Sequence, residues 1–177
     1  MQEDIILEEE AIADERAADA ARLGAAILHQ PIHKLATLRP AICVPPTISV
    51  RTAIERMNQG NVGCVLVEVK GRLTGIFTER DVLTKIVGTT LDLDRTTVDA
   101  VMTHDPESLS PEERVTYALN KMSIGGFRHI PLVDDDGHPV GVVAMRNVVD
   151  FIVELFHTEV LNLPPEPRNI ARSREGA

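Results

Sequence analysis

A chain of 177 residues with a formal charge of −9, one Tyr and no Trp is poorly equipped for nucleic acid, whose affinity is built on clustered Lys and Arg and on stacking platforms. The hydrophobic share of 44% is that of an ordinary globular protein, and no stretch approaches the roughly 18 apolar residues of a membrane span. There is no basic start followed by an apolar core of signal-peptide type, so the expected location is the cytoplasm.

From Asp4 to about His29 only Gly24 interrupts a run rich in Ala, Glu, Leu and Arg, and Pro31 ends it. This predicts an acidic N-terminal helix over 1–30, with eight acidic side chains against two arginines. Its apolar stripe gives it a reason to dock on the core or on a second subunit. Next, Ala41-Ile42-Cys43-Val44 reads as a first strand, and Ser49 caps a helix carrying Val50, Ala53, Ile54 and Met57 on one face and closed by Gly60. Val62 to Val67 is an apolar strand, Lys70-Gly71 turns it into Leu73 to Phe77, and Arg80 and Asp81 open a second helix through Val87.

A polar connector from Gly88 to Thr97 precedes the same order again. Val98 to Met102 leads in, a helix runs from about Pro111 to Ser123, strands lie at Arg128–Val133 and Val140–Ala144, and a helix spans about Arg146 to Phe156. Beyond His157 the Pro-rich, charged composition predicts an extended or disordered tail. Cys43 and Cys64 have neither metal nor redox spacing and read as buried free thiols.

The two halves are an internal repeat. Pro46, Val50, Ala53, Val67, Gly75 and Arg80 have counterparts in Pro111, Val115, Ala118, Val133, Gly141 and Arg146. Each repeat of roughly 55 residues would bury only a marginal core, so the pair should fold as one body. The copies differ at one point. The first ends a strand with Gly75-Ile76-Phe77-Thr78 and runs into Glu79-Arg80-Asp81, whereas the second has Ala144 and Asn147 in place of Thr78 and Asp81.

A Thr at a helix start, with free amides in the first turn, is a ready anion site. A carboxylate one turn on can accept from both hydroxyls of a ribose, and Arg80 or the second-repeat arginines could balance a phosphate. The same two residues also make sense as a helix cap with an acidic group at the dipole's positive end. Other clusters carry less. Pro31 breaks the helical geometry that His29 and His33 would need to share a metal, and Asp134-Asp135-Asp136-Gly137 sits at a hairpin turn rather than in a calcium loop. No catalytic constellation can be recognised.

Two copies of strand-helix-strand-strand-helix, each with the Gly-apolar-apolar ending, together with Phe127-Arg128-His129-Ile130-Pro131, resemble the cystathionine-β-synthase (CBS) domain pair, or Bateman module. The resemblance spans roughly residues 31–156. It implies an α+β fold of two tandem repeats, 31–88 and 98–156, packed as a pseudo-symmetric pair with two clefts, and leaves the N-terminal helix and the tail over 157–177 outside it. It implies a regulatory module rather than an enzyme, binding an adenosine-containing ligand such as AMP, ADP, ATP, NAD or S-adenosylmethionine. Carried over by position, Asp81 is the ribose ligand, Thr78 the phosphate ligand, and groups near Cys43, Val44, Val62, Gly63 and Cys64 enclose the adenine. Arg128 and His129, with Arg80 and Arg146, are the basic residues near phosphate. The second cleft, lacking the hydroxyl and the charge, should be empty, weak or used for another part of the ligand. A homodimer is implied through helix faces around Val82, Leu83, Ile86, Val148, Val149 and Ile152; the N-terminal helix, outside the resemblance, offers a surface for an unidentified protein partner. The alternative is a dimeric scaffold with a vestigial cleft.

Overall fold

The computed structural model describes residues 29–155 other than 36, 37 and 39, with Gly24 upstream. Nearly all of the expected N-terminal helix, and the whole tail, lie outside the described residues.

Strand β1 (Cys43–Val44) leads to helix α1 (Val50–Gly60), strands β2 (Cys64–Val69) and β3 (Arg72–Thr78), and helix α2 (Glu79–Asp81), which widens at once into a π-helical turn (Val82–Ile86). The second repeat opens with a 3-10 turn (Val98–Ala100) and β4 (Thr103–His104), followed by α3 (Val115–Gly125), β5 (His129–Val133), β6 (Pro139–Ala144) and α4 (Met145–Leu155). Among the described residues no helix is long and apolar enough to cross a membrane.

Local chemistry accounts for most of these boundaries. The Ser49 side chain accepts from the Thr52 amide and starts α1, whose buried face is Val50, Ala53 and Met57. Asn61, at φ 47°, ends that helix; Gly60 is its last residue, and its missing Cβ instead makes room for the Ile42 side chain. Helix α3 begins at Val115 rather than at Pro111, because Arg114 is held extended in a bridge to Pro31. Val98–Ala100 is a turn rather than the expected lead-in strand, and pairing starts only at Thr103. Lys70 and Gly71, both at positive φ, form the two-residue turn between β2 and β3. Asp134 accepts from the Asp136 and His138 amides with one carboxylate oxygen, so the acidic run is a hairpin turn.

The first sheet has the order β1-β2-β3-β4, with β1 parallel to β2 and the rest antiparallel. In the second, β5 and β6 pair antiparallel and the first strand shrinks to a parallel bridge from Leu109 to Leu132. Leu66 and Ile76 of the first repeat pack with Val142 of the second, joining the two sheets.

Each repeat borrows its closing piece. Val98, Val101 and Met102 complete the core around Val50, Ala53, Val65 and Phe77, while Ile32 and Leu35 complete the one around Val115, Ala118, Ile130 and Val143. The backbone bonds match: the Val50 amide donates to the Thr96 carbonyl and the Val115 amide to the Gln30 carbonyl, both at 2.9 Å. Of the helix residues expected at a dimer face, Ile86 and Val148 are buried in these cores and Val82 is partly so, leaving Leu83, Val149 and Ile152 exposed.

Candidate functional site

Two clefts lie between the repeats, and each takes its walls from both. The first, about 660 Å³, is formed by the turn from β3 into α2 (Thr78, Glu79, Arg80, Asp81), by Thr103 and Asp105–Glu107 of the second repeat's lead-in, and by Phe127, Arg128 and His129. The second, about 690 Å³, is its pseudo-symmetric counterpart: Ala144, Arg146 and Asn147, then Pro40–Ile42, then Asn61–Cys64. Both volumes suit a ligand of nucleotide size.

At the heart of the first cleft Thr78 and Asp81 close a reciprocal cap. Asp81 Oδ2 accepts from the Thr78 amide at 2.8 Å and from Thr78 Oγ1 at 2.7 Å, while the Asp81 amide donates back to that hydroxyl oxygen at 3.3 Å. Oδ1 pairs with Lys85 Nζ at 2.7 Å, and the same ammonium donates to the carbonyls of Val101 and Met102. The Asp81 side chain is only 8% exposed, so this carboxylate is a buried charge satisfied from two sides. Arg80 Nη1 donates to the Gly126 carbonyl at 2.7 Å, which ties the turn to the end of α3 just ahead of Phe127. In the second cleft half of the cap survives: the Ala144 amide donates to Asn147 Oδ1 at 2.7 Å, and Arg146 faces Asp150 at 3.6 Å.

Glu79 and His129 line both clefts and separate them. The imidazole lies against Gly63, where a Cβ would come within 2.8 Å of the ring, so this approach requires glycine. Burial pushes the His129 pKa down, Glu79 opposes that and Arg128 reinforces it, which favours a neutral ring. Desolvation also raises the thiols, Cys43 to about 11 and Cys64 to about 12, and leaves both in the unreactive protonated form.

The structure thus divides the candidate residues. Thr78, Arg80, Asp81, Arg128 and His129 share the first cleft, whereas Val62, Gly63, Cys64 and Arg146 line the second. Cys43 and Val44 line neither: Val44 belongs to the first core, and Cys43 stands beside Glu68. The expected enclosure and the expected ribose-phosphate turn therefore face different cavities, because each turn meets the opposite repeat. The position of Val62 is taken in the first cleft by Arg128, and that of Ile42 by Glu107. Lys85, Glu79 and Asp105–Glu107 were not singled out from the sequence. Lys85 alone carried a local signal, being four residues beyond Asp81 on one helix face.

Comparison with known proteins agrees with this architecture. The CBS domain family model matches residues 35–88 and 98–154. The CBS domain-containing protein CBSCBSPB1 of Arabidopsis thaliana is 36% identical over 105 residues, 59% of this chain but only 19% of that protein. The chain therefore spans about a fifth of that relative. The CBS domain protein PAE2072 of Pyrobaculum aerophilum, solved complexed with AMP, superposes with a TM-score of 0.63 at 25% identity, covering 72% of this chain and 98% of that one. The CBS domain pair of protein MJ0100, solved in complex with 5′-methylthioadenosine and S-adenosyl-L-methionine, gives 0.62 at 22% identity, covering 70% and 99%. With a cleft-forming repeat pair and a family match over both repeats, the chain belongs to the CBS domain family.

Proposed function

We propose that this chain is a regulatory module whose first cleft binds an adenosine-containing ligand, with Asp81 accepting from the ribose and Thr78 and Arg128 meeting phosphate. The observation that carries the reading is Asp81 itself, a buried carboxylate on the wall of a nucleotide-sized cavity. Arg128 supports it, since its guanidinium lines the cleft and donates no hydrogen bond to any described residue. The second cleft, with Arg146 and Asn147 but no hydroxyl at Ala144, is a weaker site of the same kind. AMP, ADP, ATP, NAD and S-adenosylmethionine are the candidates, in a cytoplasmic homodimer that contacts its regulated partner through the N-terminal segment.

One observation favours a scaffold with a vestigial cleft: the cap and Lys85 already satisfy Asp81 without any ligand. Calorimetry with the five candidates on the wild type and Asp81→Asn separates the two. Asn is chosen because the second repeat holds an Asn in the same half-cap. The sensor reading expects one candidate to bind, with affinity about ten- to a hundred-fold weaker in the variant, the worth of a charge-assisted hydrogen bond. Absence of binding by all five would leave the scaffold, whereas equal affinity in the two proteins would discard Asp81 as the ribose-binding residue.

A further inference from the structure

Lys85 has all three of its ammonium protons placed: on Asp81 Oδ1, on the Val101 carbonyl at 2.7 Å and on the Met102 carbonyl at 3.3 Å. Those carbonyls immediately precede Thr103, which lines the first cleft opposite Asp81. One cation thus fixes both the carboxylate and the start of the facing wall. The internal repeat supplies a control for what this arrangement is for. The counterpart of Asp81 is Asn147, and the counterpart of Lys85 is Phe151, a partly buried member of the second core. The fold therefore needs no cation at this position, and the repeat that has lost the carboxylate lacks the cation as well.

A carboxylate offers about four acceptor positions. Here the Thr78 amide, the Thr78 hydroxyl and Lys85 take three, leaving one on Oδ1. A ribose diol needs two. The second becomes available if the Thr78 hydroxyl, a free rotor, turns from Oδ2 toward a phosphate. The Thr78 amide and Lys85 then hold the carboxylate while both ribose hydroxyls engage it.

We infer that Lys85 is a positioning residue for the first cleft, holding Asp81 in the orientation that selects a 2′,3′-diol. This rests on the adenosine-ligand reading above and adds what sets its discrimination between ribose and deoxyribose. Lys85 does not touch the ligand; it acts through Asp81. A purely structural lysine would change the affinity for both sugars by the same factor.

The test is calorimetric, with AMP and 2′-deoxy-AMP titrated into the wild type, Lys85→Met and Lys85→Arg. Wild type should prefer AMP by about tenfold or more, the worth of one charge-assisted hydrogen bond. Lys85→Met should reduce that ratio several-fold toward unity, and Lys85→Arg should restore most of it. Should Lys85→Met fail to fold, Lys85→Gln takes its place, with the same expectation. A wild-type preference that Lys85→Met or Lys85→Gln leaves intact would overturn the positioning role, even if both affinities fall. A wild type that binds both equally would instead overturn the assignment of Asp81, and this inference with it; one that binds neither nucleotide would overturn this inference alone.

Discussion

At the scale of single residues, His129 is where the two clefts meet, and its environment sets a pH dependence. Burial, the largest influence, disfavours the imidazolium; Glu79 favours it and Arg128 opposes it. In the folded chain the ring accepts its proton only below the ordinary value near 6.5, whereas in the unfolded chain it does so at about that value. The unfolded state therefore binds more protons in this interval, and stability falls as pH drops through about 6.5. His129→Gln removes the group from both states, so its thermal midpoint should drop less between roughly pH 7.5 and 5.5 than that of the wild type. Equal slopes would mean that the ring is solvated in the folded chain. Thr78 and Asp81 could be singled out from the sequence because the signal is local, a cap spacing that one repeat keeps and the other loses. The role of His129 as a partition could not be, because it depends on Gly63, 66 positions away and in the other repeat.

At the scale of elements, the junction between β3 and β4 brings a strand of the first repeat against the lead-in of the second, with Gly75 opposite His104. Met102 lies over Gly75 so closely that a Cβ would collide with its sulfur and come within 3.1 Å of its Cγ, and Met102 is itself 6% exposed. Gly75→Ala should therefore destabilise by about 1–3 kcal/mol in denaturant unfolding, the usual range for overpacking. Combined with Met102→Ala the loss should be clearly less than the sum of the two single losses, because the smaller side chain frees the space. Strict additivity would show that Met102 moves aside freely. Periodicity and turn residues made β2, β3, β5, β6 and α1 readable within a residue or two. The start of α3 escaped because Arg114 pairs with Pro31, a contact that no local pattern announces. The widening of α2 into a π turn at Val82 escaped for a similar reason, since Lys85 there serves Asp81 and two carbonyls of a distant segment.

At the scale of the whole molecule, the repeats exchange their closing segments, and this explains how a pair of marginal cores becomes one body. The segment ahead of the first repeat bonds to the second: the Ile32 amide donates to the Glu113 carbonyl at 2.8 Å, and the Ile32 side chain is fully buried beside the second core. The segment ahead of the second repeat does the same for the first, with the Val98 amide on the Ile48 carbonyl at 2.9 Å. The repeat was legible as a sequence pattern, but an alignment of two halves cannot say which half a connecting segment packs against. The same exchange places the turn of one repeat in a cleft walled by the other. A substitution in the first lead-in should consequently be felt in the second repeat. Ile32→Ala is expected to destabilise by about 2–5 kcal/mol, as for other large-to-small changes at fully buried sites. Hydrogen exchange gives the location as well as the size. Protection should fall first and furthest at the Ile130, Leu132 and Val143 amides, and later at those of Val65 and Val67, which belong to the first core. If Val65 and Val67 instead lost protection first, the lead-in would be stabilising its own repeat. If all five fell together by the same factor, the two cores would be opening only as a single unit, and the exchange would have made them thermodynamically inseparable.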